Sequence, residues 1–228
     1  MKKEIICIFL ILILVSTGIT TATQISKTEI YKENIKSTNK KTWTIMVYIA
    51  GDTYNEKASE NIIEWIETAN YCENVNVIIQ IDSMSLFTGA ILYEIIKSEE
   101  GAKAKLIETK EETNTGEVKT LTDFINWGKN KVPAENYCIV LHGHGAGWRN
   151  AFLRDETDDD FLTIDELKES TSQIKNVLNK KIDLLVLDAC LMGMTEVYYQ
   201  IRDNVKTCVA TPDLIPAWNS GSNPRGGC

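Results

Sequence analysis

The chain is poor in histidine. Only His142 and His144 occur among 228 residues, separated by one glycine. Chemistry that needs an imidazole base is therefore confined to one point of the sequence. The chain is also short of positive charge, with 24 Lys+Arg against 32 Asp+Glu and a net charge of −8. Phosphate binding needs a basic surface, so nucleic acid is excluded as the main partner, whereas a basic substrate is compatible. None of the six cysteines forms a Cys-x-x-Cys pair, which argues against a zinc ribbon or a thioredoxin motif. No repeat of about 20–50 residues is visible. The longest apolar run, Ile5 to Val15, has eleven residues. That is short of the roughly 20 a spanning helix needs.

What is present is ordinary globular composition, 43% apolar and 25% charged, which excludes a disordered or collagen-like chain. The length suits one domain. Lys2 and Lys3 before the apolar run, and small residues through Ala22 after it, read as a secretory signal peptide over residues 1–22, with an uncleaved anchor as the alternative. The expectation is an exported protein, secreted or at the cell surface, with no stable membrane insertion once the signal is cleaved. Residues 23–41 are polar and read as a linker or disordered arm. Loss of Cys7 with the signal leaves Cys72, Cys138, Cys190, Cys208 and Cys228, an odd number that predicts at least one free thiol.

From Trp43 onward, strands and helices alternate. Strands are predicted over Trp43–Ala50, Val75–Ile81, Tyr137–Leu141, Ile182–Leu187 and Thr207–Ala210, with Gly89–Ile96 as an antiparallel edge strand. Helices are predicted over Glu56–Ala69, Leu121–Asn130 and Met192–Arg202, and Thr163-x-x-Glu166 has capping-box spacing at the start of another. Strands apolar almost throughout are covered on both faces, so the fold class is α/β with a mostly parallel sheet. Ligands bind beyond the carboxyl ends of such strands. Three places qualify: Gly51-Asp52, His142–Trp148 and Asp188-Ala189-Cys190.

Two of these carry a base and a nucleophile. Cys190 is read as ending a strand and opening a helix, where free N–H groups and the helix dipole favour a thiolate. A histidine on the neighbouring strand end then makes a Cys-His pair able to attack a carbonyl. A buried inert thiol is the competing reading for Cys190. Spacing alone does not separate the pair from a metal site of His142, His144 and Cys190.

The segments Trp43–Asp52, Asn114–Gly116, Leu121–Trp127, His144–Trp148 and Asp188–Gly193 resemble the clostripain family of cysteine peptidases, which belongs with caspases, legumains and gingipains. The likeness covers about residues 43–211. It implies a caspase-like α/β/α sandwich in a peptidase domain over 42–211. His144 would be the catalytic histidine, Cys190 the nucleophile, and His142 structural, at a position where the family usually has an aromatic. Gly145 and Cys190 would supply the oxyanion-hole N–H groups. Asp188 would hold the basic side chain of an Arg/Lys substrate; a helix-capping carboxylate is the competing reading. The function implied is a secreted cysteine endopeptidase cleaving peptides or proteins after basic residues through an acyl-enzyme.

The dyad requires no cofactor, and the likeness adds Ca2+ as a candidate. Asp155, Thr157, Asp159, Phe161, Thr163 and Glu166 follow a calcium-loop spacing, but Asp160 stands where that loop needs glycine, so the stretch reads as a solvated acidic loop. Relatives mature by cutting themselves in this region, where Arg149 and Arg154 are the basic residues available. After Thr211 the likeness fades. Residues 212–228 read as an irregular tail, the sandwich is expected to be incomplete at its C-terminus, and the alternative function is a catalytically inactive peptide-binding module.

Overall fold

The computed structural model describes residues 40–53, 56–83, 89–149 and 151–215. The expected signal peptide, nearly all of the linker and most of the tail lie outside them. Lys41, at the linker's polar end, already opens the first strand.

That strand, β1 (Lys41–Ala50), explains the architecture. Met46, Tyr48 and Ala50 are buried on one side and Val47 and Ile49 on the other, so both faces are covered. β1 pairs in parallel with β2 (Val75–Asp82) and with β5 (Ala134–His142). β5 pairs in parallel with β8 (Ile182–Asp188), and β8 with β9 (Val205–Ala210). β3 (Ile91–Ser98) and β4 (Gly101–Thr109) continue the other side antiparallel, giving the order β4-β3-β2-β1-β5-β8-β9. Helix α1 (Glu56–Glu67) brings Ile62, Ile63 and Ile66 to one face. Helices α2 (Val118–Lys131), α3 (Ile164–Leu178) and α4 (Thr195–Ile201) cover the other with Leu121, Phe124, Leu167, Ile174, Val197 and Ile201. The result is the expected α/β/α sandwich with a mostly parallel sheet.

Three sequence expectations change. β3 is antiparallel as expected but is not the edge, because β4 lies outside it. β4 escapes sequence reading because Gly-Ala-Lys-Ala-Lys-Leu-Ile-Glu-Thr is largely exposed and lacks an apolar stripe. A two-stranded hairpin, β6 (Phe152–Asp155) with β7 (Asp160–Leu162), occupies part of the acidic stretch. The helix expected over Met192–Arg202 begins only at Thr195. Leu191 sits at φ 63 and the Gly193 N–H donates to the Thr211 carbonyl at 2.7 Å, so residues before Thr195 form a loop.

The Thr163 capping box forms. Thr163 Oγ1 accepts from the Glu166 N–H at 3.2 Å, and Glu166 Oε2 accepts from the Thr163 N–H at 2.8 Å. Thr163→Ala should cost about 1 kcal/mol, read as a melting temperature about 2–4 °C lower.

Candidate active site

β5 and β8 are parallel neighbours with His142 opposite Asp188. His144 and Cys190 each stand two residues beyond, so register alone carries both to the same sheet edge. The Gly143 N–H donates to the Asp188 carbonyl at 3.4 Å. A Cβ on Gly145 would lie 2.4 Å from the Cys190 carbonyl oxygen and 2.9 Å from Ala189 Cβ. The two loops therefore touch backbone to backbone, and only glycine fits between them. Gly147, at φ +61, makes the following turn. His144 is exposed, and its carbonyl accepts from the Leu153 N–H at 3.0 Å, tying this loop to β6. Gly145→Ala must push the loops apart. It should destabilise the protein by about 1–3 kcal/mol, measured by denaturant unfolding.

Cys190 does not open a helix. It stands in a turn, with α4 starting five residues later, so no helix dipole acts on it as sequence reading expected. Its half-buried Sγ instead accepts the Ile215 N–H at 3.2 Å and lies 3.7 Å from the Ile215 carbonyl. The Leu191 N–H donates to the Asp213 carbonyl at 3.0 Å, so residues 211–215 run back along the Cys190 turn. No local pattern in the sequence announces this contact, because it joins residues about 25 positions apart. The amide N–H groups of Gly145 and Cys190 donate to no acceptor among the described residues.

The other described thiols are poor nucleophile candidates. Burial pushes Cys138 and Cys208 up to about 12, so neither carries thiolate at neutral pH. Cys72 is exposed, far in sequence from either histidine, and all four described cysteines are free.

Asp188 Oδ2 lies 2.8 Å from His142 Nδ1. The imidazole is 18% exposed and the carboxylate 44%, so Asp188 is held from the sheet side and open on the other. The metal reading of His142, His144 and Cys190 fails on geometry. Their ligand atoms form no cluster among the described residues, and His142 Nδ1 faces Asp188.

The calcium-loop pattern does not close either. Glu166 is spent on the helix cap, and Arg154 holds Glu156 at 3.0 Å and Asp159 at 2.6 Å. Nor is the stretch wholly solvated. Asp155 is fully buried, and its Oδ2 accepts from the Thr115 N–H at 2.9 Å and Thr115 Oγ1 at 3.0 Å. Asn114-Thr115-Gly116 thus clamps the hairpin, with Asn114 Nδ2 donating to Asp160 Oδ2 at 2.8 Å. Of the two arginines in this region, Arg149 ends an exposed turn and Arg154 lies in β6.

At the third strand end, Asp52 joins Asp155 and Glu112 in one acidic group. Asp82, which ends β2, lies near all three. Burial first, then the charges of Glu112 and Asp155, pushes its carboxyl up to about 8. Sequence reading flagged Asp52 by its position but missed Asp82 and Glu112.

The chain matches the family model described as the Clostripain family over residues 47–220. It is 26% identical to Clostripain from Hathewaya histolytica over 235 residues, covering 85% of this chain and 42% of that protein. The fold matches an inactive zymogen C11 protease from Parabacteroides distasonis with TM-score 0.64 and 25% identity, covering 78% of this chain and 50% of that one. It also matches a secreted C11 cysteine protease from Bacteroides thetaiotaomicron, in complex with an irreversible peptide inhibitor. There the TM-score is 0.63 and identity 23%, over 76% of this chain and 49% of that one. This chain therefore spans about half the length of these relatives, or less.

Proposed function

Because this chain belongs to the clostripain family of cysteine peptidases, we propose that it acts as an exported cysteine endopeptidase that cleaves after Arg or Lys. The observation that carries this reading is the close packing of Gly145 on the Cys190 carbonyl, which seats the His144 loop against the thiol turn.

Cys190 Sγ attacks the scissile carbonyl carbon, and His144 takes the thiol proton and delivers it to the leaving amine. The oxyanion that forms needs donors already in place. The Gly145 and Cys190 N–H groups, which donate to nothing in the described chain, are suited to that task. Water then hydrolyses the acyl-enzyme, with His144 as base. Asp188 presents a half-exposed carboxylate two residues before the nucleophile, where a guanidinium or ammonium can pair with it. His142 orients that carboxylate from behind.

The net charge of −8 favours approach of basic peptides. The N-terminal signal pattern supports the export part of this reading, and the Bacteroides thetaiotaomicron relative is itself described as secreted.

The test is labelling with acyloxymethyl ketones that carry Arg, Lys, Ala or Glu next to the reactive group. The Arg and Lys reagents should label fastest, and peptide mapping should place the adduct on Cys190. A label elsewhere, or equal labelling by all four reagents, overturns the reading. Peptide binding with neither labelling nor turnover would instead indicate an inactive binding module.

A further inference from the structure

We infer that the end of the sheet opposite His144 and Cys190 is a docking surface for an anionic lipid bilayer, which it meets through lysine charge without inserting. β1, β5, β8 and β9 are parallel, so all four begin at this end, and α2, α3 and α4 finish there. The connecting turns are rich in lysine. Lys129 and Lys131 precede β5, and Lys175, Lys180 and Lys181 precede β8. Arg202 and Lys206 flank the start of β9, and Lys40 and Lys41 open β1. Lysine in the last turn of a helix complements the helix dipole. That accounts for Lys129, Lys131 and Lys175. It does not account for Lys40, Lys41, Lys180, Lys181 and Lys206, which stand at strand starts.

Little of this charge is neutralised. Lys129 donates to the Val177 carbonyl, Lys175 to the Asp203 carbonyl at 3.2 Å, and Lys181 to the Arg202 carbonyl at 3.2 Å. Lys41 donates to the Val75 carbonyl at 3.3 Å. These bonds lace neighbouring turns together and hold the ammonium groups on one surface, but a carbonyl brings no compensating charge. Among the described residues, none of these four lysines forms an ion pair. Lys131 reaches Glu94 only at 3.8 Å. Asp183, buried at this end, is shared by Lys180 and Lys206, each at 2.6 Å. Glu135 and Asp203 are exposed there. Glu73, Glu99 and Glu100 lie toward β2, β3 and β4, with Glu73 held by Lys97 at 3.0 Å, so the basic surface sits beneath β1, β5, β8 and β9.

The opposite end is acidic, with Asp52, Asp82, Glu112, Asp155 and Asp188 at or beyond the strand carboxyl ends. A chain of net charge −8 is repelled by an anionic surface as a whole, but segregated charge lets one end bind while the other turns away. The chain also enters the fold at the basic end, through Lys41. Residues 23–40 before it add Lys27, Lys32 and Lys36 against Glu29 and Glu33. On the export reading of residues 1–22 the chain passes a bilayer, and this segment joins that passage to the basic end. The choice of a lipid surface rests on that reading, whereas the charge segregation does not. Basic segments beside a membrane are held by anionic lipids within about a Debye length of the surface. A bilayer bound here leaves the His144 and Cys190 edge facing away from it, open to substrate.

The test uses the full chain with Cys190→Ala, so the readout is binding and needs no activity. The protein is sedimented with vesicles of phosphatidylcholine alone and with vesicles of phosphatidylcholine and phosphatidylglycerol. The apolar run of residues 5–15 contributes to both, so the ratio of the two partition coefficients is what counts. Partitioning onto the anionic vesicles should be stronger by about tenfold or more at about 0.1 M NaCl, and the preference should vanish at about 0.5 M. Lys129→Gln, Lys175→Gln and Lys181→Gln combined should lower the ratio about fivefold or more, since one lysine near an anionic surface is worth up to about fivefold. Glutamine still donates to the same carbonyls, so the melting temperature should hold. Lys40→Gln with Lys131→Gln, at exposed positions, should lower the ratio about threefold and decides the matter should the triple variant fail to fold. Lys103→Gln with Lys105→Gln, exposed on β4, should leave the ratio unchanged. An equal ratio in the parent and the basic-end variants overturns the proposal, and so does an equal loss in the β4 variant. No preference for anionic vesicles overturns it too, and binding of soluble polyphosphate in that case assigns the surface to a soluble polyanion. Export is read separately, from the N-terminus of chain recovered outside cells, so a failure of docking and a failure of export are told apart.

Discussion

Cys190→Ala should lower turnover of an Arg- or Lys-containing peptide by about 10⁴-fold or more, toward what binding and the oxyanion donors supply alone. His144→Ala should lose nearly as much. The double variant should lose no more than the worse single one, because thiol and imidazole act as one unit and their effects do not add. Structure should survive both changes. His144 is exposed, and alanine keeps the Cβ of Cys190 while giving up one contact to the Ile215 N–H. Steady-state rates and melting temperatures measured together check this. Turnover above about one-tenth of wild type in Cys190→Ala places the nucleophile elsewhere, and Cys138 and Cys208, with thiols near 12, are poor replacements.

Asp188→Asn should reduce kcat/KM for peptides with Arg before the cleaved bond by about 10²-fold, the scale for removing one partner of a charge-assisted pair. Peptides with an uncharged residue there should change little, so selectivity collapses while the chemistry persists. The carboxylate is half exposed in the free protein, which places the effect at this scale rather than higher. Its 2.8 Å contact to His142 Nδ1 adds a graded companion. His142→Phe keeps the charge but releases its orientation, and should cost less than Asp188→Asn on Arg peptides. An equal loss on charged and uncharged peptides in Asp188→Asn would assign the residue to the fold rather than to recognition.

The parts of this architecture that were legible in sequence are those whose cause is local. Met46-Val47-Tyr48-Ile49-Ala50 and Leu184-Leu185-Val186-Leu187 are apolar on both faces, and both proved to be inner strands. Thr163 and Glu166 cap a helix because the motif satisfies its own N–H groups. Failure came where a distant partner decides. Met192 and Met194 read as the first turn of a helix, yet the Gly193 N–H is taken by Thr211 and Leu191, just before them, lies at positive φ. Lys103 and Lys105 disguise β4, which pairs along one side only at the sheet edge. Asp52 and Asp155 meet only because β1 and the hairpin end together, and the one-dimensional pattern instead suggested a twelve-residue loop from Asp155 to Glu166. His142 and Asp188 show the opposite case. Each ends an inner strand, so parallel pairing would have joined them, but adjacency of β5 and β8 had first to be known.

The place of β1 in the sheet also governs time. It pairs with β2 after a single crossover through α1, but its other flank waits for β5, and the Trp43–Asn136 pairing closes a loop of about ninety residues. Loop closure on that scale is paid before the contacts return anything, which places folding in the slow, millisecond-to-second class. Until β5 arrives, Val47 and Ile49 can be sheltered by α1 while Met46 and Tyr48 still lack β5 and α2 over them. The half-built sheet is thus sticky on one side only, and refolding yield should fall as protein concentration rises, even where the finished protein is soluble.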